Sequence, residues 1–160
     1  MSWFVLNARD AEWIDGTFGK YCGFESKDAR FEQLGVNLNV LQPGEPMTMY
    51  HREDAQEDFL VLEGRCVLVV EGEERPLRKW DLFHCPPGVD HAIVGAGNGP
   101  SLVLAVGART GQEDKGLVYP ADPVARTYGA ALDVETTDPK VAYAAASFER
   151  GPYQEGWLPE

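Results

Sequence analysis

The chain has 160 residues, of which 44% are hydrophobic and 25% are charged, a balance typical of one globular domain with a single core. Its formal net charge is -12 and its isoelectric point is near 4.6. Such an acidic surface repels nucleic-acid phosphates and anionic lipids, so we expect neither nucleic acid nor a membrane as a partner.

Targeting features and cysteine usage point to the cytoplasm. The opening residues lack a basic stretch followed by a long apolar run, and no segment approaches the roughly 18 apolar residues of a membrane span. The three cysteines, Cys22, Cys66 and Cys85, are odd in number, widely spaced and without a Cys-x-x-Cys pair. This argues against both a disulfide framework and a thiolate zinc site.

The first predicted region, residues 1–33, has the aromatic content of additional strands. Residues 3–6 and 18–24 are the two candidate strands, and we expect them to join or extend a sheet formed by the rest of the chain, or to exchange with a neighbouring subunit.

The second region, residues 34–108, is a series of short apolar or alternating runs separated mostly by Gly and Pro. The runs cover residues 34–41, 47–51, 59–62, 66–70, 82–85, 92–94 and 102–106. Such spacing predicts an all-β antiparallel sandwich or barrel. The turn at residues 71–73 predicts a hairpin between residues 66–70 and a strand beginning near Arg75.

The third region, residues 109–160, is a C-terminal extension that opens with the polar residues 111–116. Asp122-Pro123 and Asp138-Pro139 each pair a capping residue with a proline at the first helical position. We predict a short helix near residues 138–150, packed on the outside of the barrel, with Tyr153 and Trp157 as further anchors.

The three histidines fall within the central region, and two of them lie in segments suited to one metal pocket. In a strand, His51 and Glu53 share one face, together with Met47 and Met49. The next strand puts an apolar wall beside another carboxylate, on the face shared by Glu57, Phe59 and Val61. The turn at residues 86–88 can return the chain so that the imidazole of His91 completes the set. Two imidazoles and one or two carboxylates suit a divalent first-row metal.

These two segments resemble the first and second motifs of the cupin family, in the patterns His51-x-Glu53-x3-Glu57-x6-Gly64 and Pro86-x-Gly88-x2-His91. The resemblance covers roughly residues 34–107. It implies a cupin-type antiparallel jelly-roll barrel, here with a short C-terminal helical arm, in which His51, Glu57 and His91 hold the metal.

Three positions depart from the family pattern. Glu53 stands where the family usually has another histidine ligand, Trp80 where a glycine commonly precedes the aspartate, and Gly95 where an asparagine is frequent. The last two concern turn geometry, whereas Glu53 concerns the metal itself.

The role of Glu53 has several alternatives. As a fourth ligand it would make the site of a divalent ion neutral and favour harder ions such as Mn(II) or Fe(II). If Glu53 turns away, His51, Glu57 and His91 form the two-His, one-carboxylate arrangement of non-haem Fe(II) sites, and Glu53 can act as a general base. Residues 52–58 can also be a charged, solvated loop. The ion itself is expected to be Fe, Mn, Zn or Ni.

Four further residues near the motifs have structural and functional interpretations. We interpret His84 as a surface residue or one that supports a ligand, and Cys85 as a small apolar filler that can contact substrate. Asn37 and Asn39 alternate with apolar residues, and a solvated outer face is the preferred interpretation over contact with a bound ligand.

The resemblance implies a divalent-metal-binding cupin that acts on or binds a small oxygen-bearing metabolite, with Met47, Met49, Phe59, Val61 and Cys85 shaping the pocket. Oxygenase, isomerase and decarboxylase chemistry all occur in such pockets. The alternatives are a non-catalytic binding or sensing module, and a barrel without metal. Because small barrels leave exposed edges, we also expect a homodimer.

Overall fold

Ten strands and two short helices form the structure, a computed structural model that describes residues 3–26, 28–109, 111 and 116–160. The strands are β1 Glu12–Gly16, β2 Gly19–Gly23, β3 Leu34–Leu41, β4 Glu57–Glu63, β5 Arg65–Val70, β6 Glu73–Arg78, β7 Leu82–Cys85, β8 His91–Ala96, β9 Ser101–Ala108 and β10 Phe148–Pro152. The helices are α1 Pro123–Thr127 and α2 Pro139–Ala142. Within the described ranges neither helix is long or apolar enough to cross a bilayer.

The strands pair antiparallel in two sheets. One sheet has the order β10-β1-β2-β3-β9-β4-β7, and the other has the order β6-β5-β8. The main core contains residues of both sheets together with Met47 from the segment between β3 and β4; the strand residues are Leu41, Phe59, Val61, Cys66, Leu68, Cys85, Ile93 and Val103. This is the predicted all-β barrel, and the prediction of fold class is confirmed.

Alternation along β4 explains how the strand contributes to the core. Phe59 and Val61 are buried in the core, whereas Asp58 and Leu60 point to the other face of the sheet. Strand β5 is buried on both faces because the C-terminal region covers its outer side. There Val69 packs with Tyr50, Ala125 and Ala130.

The predicted hairpin is present as β5 and β6. Val70 pairs with Glu73, which leaves a two-residue loop in which Glu71 has φ 49° and Gly72 has φ 75°. Two consecutive positive φ angles match a type I′ turn, the turn whose twist suits a hairpin.

Trp80 and Gly95, the two departures that concern turn geometry, have clear structural settings. Trp80 has φ 77°, in the left-handed region that favours glycine and costs other residues on the order of 1–2 kcal/mol. Its N–H donates to Val61 O, and the Lys79 ammonium lies 5.3 Å from its ring centroid. At Gly95 an added Cβ would lie 2.2 Å from Gln42 O, so this close approach excludes a side chain without a backbone shift.

The N-terminal region extends the larger sheet, although one of its two predicted strands is absent. Residues 18–24 contain β2, as expected, and β1 precedes it. Residues 3–6 form no strand, and Trp3 and Val5 are almost fully exposed. Aromatic and β-branched content alone was therefore a poor guide here, because a strand also needs a partner edge.

In the C-terminal region the two predicted capping residues are confirmed, but the predicted helix is shorter than expected. Asp122 and Asp138 both cap helices through their side chains. However, the helix predicted near residues 138–150 is a single turn, α2, and the chain then becomes β10. Strand β10 pairs with the edge of β1, and this pairing outweighs the helical preference of the preceding alanines. Residues 110 and 112–115 of the polar segment lie outside the described residues.

Tyr153 and Trp157 are anchors, as predicted. Their rings lie 5.9 Å and 5.4 Å from the ring of Trp13, which is completely buried. This second core cluster lies between the larger sheet and the C-terminal tail.

Candidate metal centre

His51, Glu57 and His91 meet inside the barrel. Glu57 Oε2 lies 3.5 Å from His51 Nε2 and 3.3 Å from His91 Nε2. Candidate ligand atoms of the three residues all lie within 4.8 Å of one another, which is close enough to surround one ion. The structure thus brings together three of the four residues predicted as ligands.

Backbone pairing explains this convergence. His51 and His91 form an antiparallel bridge in which each N–H donates to the other's carbonyl, at 3.1 Å and 2.9 Å. Directly opposed residues in such a pair project to the same side. Glu57 begins β4 and shares the inward face of that strand with Phe59 and Val61.

Each imidazole is oriented by a backbone carbonyl. His51 Nδ1 lies 2.8 Å from Met49 O, and His91 Nδ1 lies 3.0 Å from Val89 O. A carbonyl oxygen only accepts, so each Nδ1 carries the hydrogen. The Nε2 atoms, which face Glu57, therefore carry lone pairs when the rings are neutral, as in histidines that ligate metals.

Two buried atoms at this point lack a hydrogen-bond partner among the described residues: Glu57 Oε2 and His91 Nε2. Buried polar atoms are almost always satisfied, and two acceptors facing each other repel unless a proton or a cation lies between them. The donor set of two imidazoles and one carboxylate fits a divalent first-row ion.

The electrostatics of the cluster favour a cation. Burial raises the pKa of Glu57, but the contacts with His51 and His91 outweigh burial and lower the pKa to about 2. Burial lowers the pKa of His51, and the neighbouring Glu57 reverses this so that the net shift is upward. The carboxylate is therefore ionised at neutral pH and holds a negative charge in a buried place.

Glu53 is buried but does not belong to the three-residue group. Its charge still reaches the site: the pKa of Tyr119 is raised first by burial and then by Glu53. Its backbone carbonyl accepts from Gly88 N–H at 2.9 Å, which ties the first motif to the proline turn of the second.

Two tyrosines of the C-terminal region cover the cluster, and sequence reasoning did not identify them. The Tyr119 ring lies 6.0 Å from the His51 ring and 5.8 Å from the Tyr143 ring. The Tyr143 hydroxyl accepts from Met49 N–H at 3.1 Å. Neither tyrosine stands in a motif, and both are distant from His51 in the chain, so no sequence pattern indicated them.

The predicted pocket residues have different settings. Met47, Phe59, Val61 and Cys85 belong to the main core, and the Phe59 ring lies 5.4 Å from the His91 ring. Met49 packs instead in a separate cluster with Phe18, Tyr119 and Ala142. The expectation that Met47 and Met49 line one face was wrong, because residues 47, 48 and 50 form bends and the segment 47–50 is not a strand.

Cys85 and His84 are adjacent in the chain but differ in burial, since Cys85 is buried and His84 is exposed. Cys85 Sγ lies 3.4 Å from His91 Nδ1, behind the imidazole rather than at Nε2. Burial and then the charge of Glu57 raise the pKa of the Cys85 thiol to about 12, so it stays protonated. His84 is exposed, and its Nδ1 lies 2.6 Å from Asp58 Oδ1 at the surface.

Asn37 and Asn39 line a cavity of about 320 Å³. The preferred sequence interpretation, a solvated outer face, was wrong for Asn39, which is buried, whereas Asn37 is exposed in agreement with it. Register explains the difference: Asn39 pairs with Val103, and Val103 pairs with Val61, so this row lies on the inward face of the sheet. The remaining lining residues are Phe18, Tyr21, Met47, Thr48, Tyr143 and Phe148.

A family model described as a cupin domain matches residues 37–107. No functionally curated protein matches the chain. Among solved structures, the chain is similar to a provisionally assigned sugar phosphate isomerase from Acidithiobacillus ferrooxidans, with 25% identity, a TM-score of 0.53, and 62% of this chain and 64% of that protein covered. The chain thus spans less than two thirds of that isomerase.

Two other solved structures have the same fold at lower identity. The polyketide cyclase RemF from Streptomyces resistomycificus has 15% identity and a TM-score of 0.58, with 67% of this chain and 80% of that one covered. A Cupin 2 conserved barrel domain protein from Salinispora arenicola has 21% identity and a TM-score of 0.56, with 69% and 91% covered.

Proposed function

We propose that the chain is a metal-dependent cupin that binds a small oxygen-bearing molecule at a divalent ion, because a cupin domain model matches residues 37–107 and a solved Cupin 2 barrel domain protein has the same fold. The observation that carries the proposal is the pair of buried, unsatisfied atoms, Glu57 Oε2 and His91 Nε2, which face each other beside His51 Nε2. A divalent cation satisfies all three atoms together, which one proton cannot do.

Under this proposal His51, Glu57 and His91 are the ligands. Two imidazoles and one carboxylate on one side of an ion leave other coordination positions for a ligand molecule. When bound, the ion would supply Lewis-acid chemistry, or oxygen chemistry if it is iron.

The other residues of the site orient the ligands and restrict water. Met49 O and Val89 O fix the imidazole rings through Nδ1. The stacked rings of Phe59 and Phe83, 5.8 Å apart, provide an apolar wall beside His91. Such a wall keeps the local dielectric low and strengthens the interaction of Glu57 with a cation.

We assign Glu53 to proton transfer rather than to the ligand set. The support is its burial, its position outside the three-residue group, and its electrostatic effect on both His51 and Tyr119. A buried carboxylate whose charge acts on a candidate ligand is suited to accept a proton from a molecule bound at the ion.

The sugar phosphate isomerase from Acidithiobacillus ferrooxidans supports small-molecule chemistry on this fold at the level of its name. Because the chain spans less than two thirds of that protein, its substrate does not transfer to this chain. The substrate class has to come from this chain's own residues.

Glu57→Gln and Glu53→Gln test the ligand set as a matched pair. We expect Glu57→Gln to lose the ion, because the substitution removes the only carboxylate of the three-residue group, and Glu53→Gln to retain it at the native level. Metal analysis of purified, dialysed protein by mass spectrometry measures both. Equal loss in the two variants would make Glu53 a ligand, and negligible metal in native protein supplied with Fe, Mn, Zn and Ni in turn would refute the proposal.

The homodimer remains a prediction, supported by the open edges of the larger sheet. Strands β7 and β10 are its outermost strands, and exposed Trp80 and Leu82 lie at or just before β7. Size-exclusion chromatography with light scattering is expected to give twice the monomer mass. A strict monomer at micromolar concentration would contradict the prediction.

A further inference from the structure

The cavity lined by Asn37 and Asn39 differs in chemistry from the candidate metal centre beside it. Four of the residues that line the cavity are aromatic, namely Phe18, Tyr21, Tyr143 and Phe148. We infer that this cavity holds the flat, uncharged aromatic body of a ligand whose oxygen reaches the ion, an inference that rests on the proposed function for the ion alone.

Strand register relates the cavity to the metal centre. Asn37 pairs with Ala105 and Ala105 with Phe59, while Asn39 pairs with Val103 and Val103 with Val61. Both asparagines therefore share the inward face of Glu57, Phe59 and Val61, two strands across the sheet, a separation of about 10 Å. A ligand of two fused rings with an oxygen substituent has a comparable length, whereas a single ring is shorter.

Tyr143 and Met47 connect the two places. Tyr143 lines the cavity, and its hydroxyl accepts from Met49 N–H, whereas Met49 O holds His51 Nδ1. Met47 lines the cavity and also belongs to the core cluster with Phe59. The cavity is thus linked to the metal centre through two of its lining residues, and none of the three candidate ligands lines the cavity itself.

The aromatic walls are arranged by contacts with one another. The Phe18 and Tyr143 rings are 5.1 Å apart at 71°, and the Phe18 and Phe148 rings are 6.3 Å apart at 20°. These mutual contacts hold the rings in place, and aromatic pairs at such separations are favourable, so the lining suits a further aromatic ring. A volume of about 320 Å³ is at the small end for ligand pockets and suits a compact ring system.

Charge argues against an anionic ligand body. Among the described residues that line the cavity none is cationic, and the chain as a whole carries a net charge of -12. Phosphate groups are normally held by Arg, Lys or clustered backbone amides. The polar side chains that line the cavity are uncharged, namely the amides of Asn37 and Asn39 and the hydroxyl groups of Tyr21, Thr48 and Tyr143, and such groups suit hydroxyl and carbonyl groups.

A binding experiment with the full-length, metal-loaded protein tests the inference. The probes are 2,3-dihydroxynaphthalene, which has two rings and a chelating oxygen pair, 1-naphthol, which has one oxygen, and glucose 6-phosphate. We expect calorimetry to give at least about tenfold tighter binding of the dihydroxynaphthalene than of the sugar phosphate. Tighter binding of glucose 6-phosphate would overturn the inference.

Phe148→Ala and Phe4→Ala form a matched pair, since both remove a partly exposed phenylalanine but only Phe148 lines the cavity. We expect Phe148→Ala to weaken binding of both naphthalene probes about fivefold or more, and Phe4→Ala to leave it within twofold. Equal effects of the two substitutions would overturn the inference.

If the protein holds no ion but still binds 1-naphthol in a Phe148-dependent way, the proposed function fails and the aromatic cavity stands. If the ion is held but neither naphthalene binds, the inference fails alone.

Discussion

Replacing His91 with alanine is expected to abolish retention of the ion, whereas the same change at His84 leaves the metal content at the native level. His91 Nε2 is buried without a hydrogen-bond partner among the described residues and faces Glu57, while His84 lies at the surface against Asp58. Even residues that only support a ligand cost about 10- to 100-fold in metal affinity when removed, so loss of a ligand costs more. Mass-spectrometric metal analysis after dialysis compares the three proteins.

The same pair of variants predicts a difference in thermal stability. An ion that binds only the folded state stabilises it by about 2.7 kcal/mol when present at 100 times its dissociation constant. Adding the ion should therefore raise the melting temperature of native protein and of His84→Ala, but not that of His91→Ala. An equal rise in His91→Ala would show that the stabilising ion binds elsewhere.

The fold class was predictable because most strands of the barrel have one inward and one outward face. In β4 the alternation of Phe59 and Val61 with Asp58 and Leu60 follows directly from this geometry. The β5–β6 hairpin was equally accessible, because Glu71-Gly72 suits the turn that such a connection requires.

The segment at residues 47–51 was mispredicted as a strand because its hydrogen bonds go to two different partners. Met47 N–H donates to Ile93 O in β8, but Tyr50 N–H donates to Ala130 O in the C-terminal region. The bridges at Pro46–Val94 and His51–His91 leave more residues on this segment than on β8, so the chain bends between them. No local sequence pattern indicates a hydrogen-bond partner that lies so far along the chain.

The asparagines illustrate the same difficulty on a regular strand. Alternation correctly separates Asn37 and Asn39 from their apolar neighbours, but it does not say which face is inward. Here the apolar face packs against the second core cluster and the C-terminal tail, so the polar face is turned toward the cavity, where Asn39 is buried and Asn37 stays exposed. The decisive information is the presence of a third layer, which depends on Trp13, Tyr153 and Trp157.

The part of the candidate site that depends on the spacing of residues within the two motifs was predictable from the sequence. His51, Glu57 and His91 follow from the family pattern, and the structure brings them together. The covering tyrosines lie in the C-terminal region, which has no motif of its own, so local spacing did not indicate them. Glu53 lies outside the three-residue group, which was one of the alternatives that its position in the first motif left open.

Replacing Trp13 with alanine is expected to lower the free energy of unfolding by about 3–5 kcal/mol, the cost typical of removing a buried aromatic side chain. Trp13 is completely buried, its Nε1–H donates to Ala8 O at 2.8 Å, and its ring contacts Tyr153 and Trp157. The substitution removes the centre of the cluster that joins β1 to the C-terminal tail.

Trp3→Ala is the matched control, because Trp3 is 88% exposed. It should change stability by no more than about 0.5 kcal/mol. Urea unfolding followed by far-ultraviolet circular dichroism measures both variants in metal-free protein. Because Trp13 lies in the second core cluster, whereas the His91 ring contacts Phe59 of the main core, folded Trp13→Ala should still retain the ion. The two substitutions should affect stability additively within about 0.5 kcal/mol. A Trp13→Ala protein as stable as Trp3→Ala would mean that the third layer contributes little to holding the polar face of β3 inward.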